Sequence, residues 1–169
     1  MANLIPISTV VVGSGGAASI DFSSIPQTYT DLMIKLSVRS ARAGAVDDNL
    51  NITFNGATTN FTYRYLRGSG SAVVSSNGSN GYVAGTTAAT ATANTFANIE
   101  VYIPNYTSSN FKSISADSVT ENNATEAYAF LFADLWSNTS PISSIGFVSG
   151  TSNNWTQYST ATLYGIRKY

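Results

Sequence analysis

The stretch Asp31-Leu-Met-Ile-Lys-Leu-Ser-Val-Arg39 alternates with a period of two, Leu32, Ile34, Leu36 and Val38 against Met33, Lys35, Ser37 and Arg39. Successive side chains of an extended chain point to opposite faces, so the pattern is a β-strand with one buried and one wetted side. The same spacing returns at Leu50, Ile52 and Phe54. Asn55-Gly56 then supplies the dipeptide of a tight hairpin, with Phe61, Tyr63 and Tyr65 on the return strand.

Working outward, residues 5–12 read as a first strand, which Gly13-Ser-Gly-Gly16 turns into a second at 18–22, closed by Pro26. Residues 98–103 are regular again and end at Pro104-Asn105; 111–119 follow, with Ile114 and Ala116 inward, and Asn122-Asn123 makes a turn. Segments 142–148 and 159–166 complete the set. The last of these is two-sided within three residues of the end of the sequence, so it is expected to pair on both sides.

Residues 67–94 are rich in Gly, Ser, Ala and Thr. They read as a long surface excursion, with short edge strands at 72–75 and 81–84, or as a loop that orders against a partner. About nine or ten short antiparallel strands and no internal repeat predict a single all-β domain over residues 1–169, a jelly-roll-like sandwich.

Charged residues make up only 10% of the chain, against about 25% in ordinary globular domains. The net charge of −1 and the scattered Lys and Arg argue against nucleic acid. The chain contains neither Cys nor His, which removes disulfides, thiolate and imidazole metal sites and every His-dependent nucleophile system. The start, MANLIPISTVVVGSGG, has no basic region followed by a long apolar run, so no signal peptide is expected, and no apolar stretch is long enough to span a membrane.

Several local motifs have a competing structural explanation. Gly13-Ser-Gly-Gly-Ala-Ala18 after three valines matches a dinucleotide fingerprint, but the residues up to Pro26 are too few for the helix that would hold a pyrophosphate, so a turn is expected. Asp47-Asp48 is an acidic loop pair, expected to be solvated, with an oxygen-ligated cation as the alternative. Seven Asn-x-Ser/Thr sequons, for example at Asn51, Asn105 and Asn154, follow from the abundance of those residue types. Trp155 and Tyr158 lie among amides and hydroxyls, as aromatics that stack sugar rings do, with packing over the sandwich end as the alternative.

Segment 126–136 is apolar on both faces. Tyr128, Phe130, Phe132 and Trp136 oppose Ala129, Leu131, Ala133 and Leu135. One row can fill the sandwich and the other needs cover, from the Gly/Ser-rich segment or from a second subunit, because monomers rarely expose such rows. Ala129, Leu131, Ala133 and Leu135 are therefore candidate oligomer contacts, with Asp134 expected to hydrogen-bond at the contact edge rather than to act in catalysis. No catalytic, cofactor or metal residues are assigned.

The stretches STVVVGSGGAASIDFSSIPQTYTDLMIKLSVRS at 8–40, ANIEVYIPNYTSSNFKSIS at 97–115 and STATLYGIRKY at 159–169 give the chain a family likeness. It resembles a group of small bacteriophage virion proteins of the head-decoration, head-fibre and tail-fibre type, in which a Leu-Tyr-Gly-Ile stretch commonly closes the final strand. The resemblance implies a non-enzymatic protein on the virion surface, made in the host cytoplasm and released by lysis. It also implies an oligomer in contact with other virion proteins such as the major capsid protein; a homo-trimer is expected from the two-faced strand 126–136, whose uncovered row symmetry would bring together around an axis. The alternative is a receptor-binding adhesin that holds a host surface glycan; a glycan-cleaving enzyme is a third reading.

Overall fold

A computed structural model describes residues 3–123 and 126–167; Met1, Ala2, Lys168 and Tyr169 of the quoted terminal stretches lie outside the described residues. Twelve strands and no helix are found among them: β1 (Asn3–Val11), β2 (Ser19–Phe22), β3 (Asp31–Val38), β4 (Asp47–Phe54), β5 (Phe61–Gly68), β6 (Val73–Gly78), β7 (Tyr82–Thr87), β8 (Ala97–Ile103), β9 (Lys112–Val119), β10 (Ala129–Trp136), β11 (Ile145–Ser149) and β12 (Thr160–Arg167).

They form an eight-stranded sheet in the order β1-β12-β3-β8-β9-β10-β5-β6 and a four-stranded sheet in the order β2-β11-β4-β7. Every pairing between these strands is antiparallel. The small sheet lies over the middle of the large one, with β7 against β8, β9 and β10. The architecture is an antiparallel sandwich. An ordinary jelly roll has eight strands in two Greek keys, whereas the described residues here form sheets of eight and four.

The register follows from the alternation. Leu32, Ile34, Leu36, Leu50, Ile52, Phe54, Ile99, Val101 and Ile103 all lie in one buried cluster, while Lys35 and Ser37 face water. β3 pairs Ile34 with Val101 of β8 and with Leu163 of β12, so three strands stack their apolar residues in one row. β12 runs between β1 and β3, which explains why a strand so late in the sequence carries a residue type for each face.

Two expected hairpins are instead crossovers. Gly13–Gly16 does make a turn, closed by the Gly16 amide on the Gly13 carbonyl at 3.1 Å, but β1 joins the large sheet and β2 the small one. Asn55 and Gly56 adopt φ of 52° and 75°, the left-handed pair of a type I′ turn. The turn carries the chain from β4 in the small sheet to β5 in the large one.

Segment 67–94 carries the two edge strands expected at 72–75 and 81–84, both longer than expected, and the second is buried and not part of a surface excursion. It contributes β6 at the edge of the large sheet and β7, whose six residues are all buried, at the edge of the small one. Small side chains suit this place. An added Cβ at Gly85 would lie 2.3 Å from Cε2 of Phe130, so the sheets approach closely enough there to require glycine.

Truncating Ile34 to Ala should cost about 2–5 kcal/mol, and Gly85→Ala about 1–3 kcal/mol through the Phe130 clash. Ser37→Ala, on the opposite face of β3, should stay within about 0.5 kcal/mol. Denaturant unfolding of the three variants checks both the register and the sheet spacing.

Candidate functional site

The pleat of β10 sorts its side chains into two environments. Phe130, Phe132, Asp134 and Trp136 point into the sandwich, whereas Ala129, Leu131 and Ala133 are exposed on the outer face and Leu135 is half-buried there. Inside, Phe132 meets Tyr82 of β7 edge-on at 4.9 Å between ring centroids. Trp136 meets Phe54 of β4 in the same way at 5.2 Å. Phe61 and Tyr65 of β5 pack beside them. This aromatic layer joins the two sheets.

Asp134 sits within that layer, between Phe132 and Trp136, and not at the edge of a contact. It is only 7% exposed, and neither carboxylate oxygen has a hydrogen-bond partner among the described residues. Ile114 on β9 and Tyr63 on β5 are its cross-strand neighbours, and Trp136 Nε1 is likewise unpartnered. Period two places an even-numbered residue with the even-numbered aromatics, which is why the outer-face expectation for Asp134 fails. Burial pushes its pKa from 3.8 up to about 8.

The outer face of the large sheet presents cross-strand rows. Val119, Ala129, Gly68 and Val73 lie side by side across β9, β10, β5 and β6; Asp117, Leu131, Leu66 and Ser75 form the next row, and Ser115, Ala133, Arg64 and Asn77 the one after. Val119, Leu131, Leu66 and Val73 are 42, 59, 52 and 80% exposed, so four large apolar side chains stand together on adjacent strands. Segment 67–94 does not fold over them, since its β6 lies beside β5 and its β7 lies in the other sheet. On the β8 side the block is bordered by Glu100, which pairs with Lys35 at 3.0 Å, and by Asp117.

The two edges of this sheet differ. Outer strand β1 contains Pro6 and a register shift between Pro6 and Ser8, features that interrupt further pairing. Outer strand β6, Val-Val-Ser-Ser-Asn-Gly, has no charge, proline or bulge against β5. It borders the apolar block directly.

The Asp47-Asp48 pair opens β4, and of the two only Asp47 keeps partial contact with solvent. Asp48 is fully buried, and its carboxylate accepts from Ser40 Oγ at 2.6 Å, Ser149 Oγ at 2.7 Å, Thr151 Oγ1 at 2.9 Å and the Asn49 amide at 2.8 Å. These donors come from three separate stretches of chain, so the carboxylate ties β4 to the 39–42 and 149–153 loops. Among the described residues no three His, Cys, Asp or Glu side chains are grouped to hold a metal ion.

Trp155 is fully buried and its Nε1 donates to the Phe147 carbonyl at 3.0 Å, so its ring is unavailable to stack on a sugar. Its backbone bridges Ala17 and Ser40, closing the sandwich end. Tyr158, three residues on, is 69% exposed. Polar neighbours in sequence gave both aromatics the same outlook; the β-bridges of Trp155 separate them.

Asp134 makes stability depend on pH. The folded carboxyl keeps its proton up to about pH 8, whereas the unfolded one releases it near 3.8. Its contribution is therefore most favourable below pH 3.8 and is lost as pH rises toward 8. Asp134→Asn should remove this term and stabilise the protein at pH 8 by on the order of a few kcal/mol. Melting curves of both proteins at acid and alkaline pH should converge at the acid end and separate at the alkaline end.

No protein-family model matches the chain, and neither a curated protein nor a solved structure matches it significantly. The fold and its surfaces therefore carry the functional reading.

Proposed function

We propose that the chain is a non-enzymatic structural subunit of a bacteriophage virion surface, acting as capsid decoration or as part of a fibre through contacts with copies of itself and with other virion proteins. The observation that supports this reading most is the exposed apolar block of Leu66, Val73, Val119 and Leu131, left uncovered by the chain's own Gly/Ser-rich segment. Isolated apolar side chains on a surface need no explanation, whereas a contiguous group over four strands does. The small residues Ala129, Ala133 and Gly68 between them allow two surfaces to approach closely.

In this reading a second subunit packs on the outer face of β9, β10 and β5, and the open β6 edge adds backbone hydrogen bonds. A closed ring of three such contacts gives the trimer expected from the two-faced strand β10. The outer face around the block carries hydroxyls and amides such as Ser75, Ser115 and Asn77, with Arg64, Asp117 and the Lys35–Glu100 pair among them. The adhesin alternative is supported by one observation, the exposed ring of Tyr158.

Light scattering during size exclusion should give the unmodified protein the mass of an oligomer, three chains in this reading. Leu131→Arg should give a monomer that stays folded, because the side chain is outside the core, and that loses only the concentration-dependent stability association adds. A well-behaved monomer of unmodified protein at micromolar concentration and above overturns the assembly reading. Turnover of host polysaccharide that is lost on replacing one carboxylate overturns the non-enzymatic one.

A further inference from the structure

A cleft of about 330 Å³ opens between the 92–96 loop and the turn after Trp155, lined by Arg39, Asn94, Phe96, Thr156, Gln157 and Tyr158. Its size falls at the lower end of small-molecule sites. Two features show that its walls are held in place. The Arg39 guanidinium makes five hydrogen bonds to the loop, to the carbonyls of Ala89, Ala91, Thr92 and Thr95 and to Thr95 Oγ1, at 2.9–3.2 Å. On the facing side, the Thr156 amide donates to the Arg39 carbonyl at 2.9 Å and the Tyr158 amide to the Val12 carbonyl at 3.0 Å.

One wall also contains backbone that its residue type disfavours. Tyr158 has φ of 71° and Asn94 φ of 64°, in the left-handed region where glycine is favoured and where a bulky aromatic is an outlier. Retaining a tyrosine at such a position, with its ring exposed to solvent, suggests that the ring itself is in use. Phe96 supplies a second, half-buried aromatic surface. The exposed side-chain amides of Asn94 and Gln157 make no hydrogen bond among the described residues. Arg39 is the cleft's one charged lining residue, and its guanidinium is already engaged by the loop.

The geometry points to a binding site for a saccharide, one sugar ring stacked on Tyr158 with its hydroxyls bonded by the amides of Asn94 and Gln157. Aromatic faces pair with the C–H faces of a sugar, and planar amides donate and accept at once, as adjacent hydroxyls require. The terminal N–H groups of Arg39 are taken up by the loop, which leaves the two amides and the ring to contact the sugar's hydroxyls and C–H face. The site lies outside the apolar block of β9, β10, β5 and β6, so an assembled subunit can keep it open. This inference rests on the adhesin alternative, and it stands or falls separately from the assembly contact.

The test is saturation-transfer NMR of the assembled protein with the methyl glycosides of glucose, galactose, mannose and N-acetylglucosamine, followed by titration of the strongest binder. Tyr158→Gly and Asn94→Gly should each weaken binding by about tenfold or more. Neither should lower the melting temperature, because glycine relieves the left-handed backbone. Absence of transfer to all four glycosides overturns the inference, as does binding that survives both variants. The mass measured by light scattering is independent of this result, so a failure here is distinguishable from a failure of the assembly reading.

Discussion

The sandwich depends on the aromatic layer that β10 sends across to the small sheet. Phe132 against Tyr82 and Trp136 against Phe54 are the contacts through which an eight-stranded and a four-stranded sheet share one core. Each ring buries a large area and adds a favourable edge-on geometry. The pleat that aims these rings inward also fixes what faces outward on the same strand, namely Ala129, Leu131 and Ala133. A single strand thus couples the interior to the surface: the residues that close the core leave an apolar row on the other side. Asp134 shows how firm that coupling is, since the alternation carries a carboxyl into the layer without giving it a partner.

What could be read from the residues was the part governed by local periodicity. The alternation in β3, β4 and β8 placed nine core side chains correctly, and the two-sided character of β12 marked it as an inner strand. Turn chemistry was legible at Asn55-Gly56, yet the sheet each flanking strand joins was not, because a tight turn fixes local direction and not distant partners. In segment 67–94 the strand at 81–84 was legible as an edge strand, but its complete burial as β7 was not, because Gly, Ala and Thr give no clear apolar alternation. Burial there comes from the close approach of Phe130 to Gly85, a tertiary effect. Trp155 and Asp48 were hidden in the same way. Their sequence neighbours are polar, and what buries them is a bridge to Ala17 and Ser40 in one case and, in the other, hydroxyl donors from the separate 39–42 and 149–153 stretches.

The candidate surfaces divide along the same line. Leu131 was legible as a candidate contact from the two-sided pattern of its strand, but Leu66, Val73 and Val119, which complete the block, come together only through strand register. Likewise Tyr158 stood out as an aromatic among amides, whereas Phe96 and Asn94 reach it from more than sixty positions away, by the fold alone. The large sheet meanwhile has one edge interrupted by Pro6 and one, β6, open beside the apolar block. That asymmetry favours association on one side of the molecule.

The central claim is that the outer face of β10 and β5 is covered by another subunit. Hydroxyl-radical footprinting of the unmodified protein tests it directly, with reference residues in the same chain. Leu131 and Leu66 are 59 and 52% exposed in the single chain, comparable to Val11 at 63% and Leu4 at 43% on β1. At concentrations where the protein is assembled, Leu131 and Leu66 should be oxidised much more slowly than Leu4 and Val11, and the difference should disappear on dilution. Equal reactivity of all four residues, after allowing for intrinsic side-chain rates, at every concentration would contradict it.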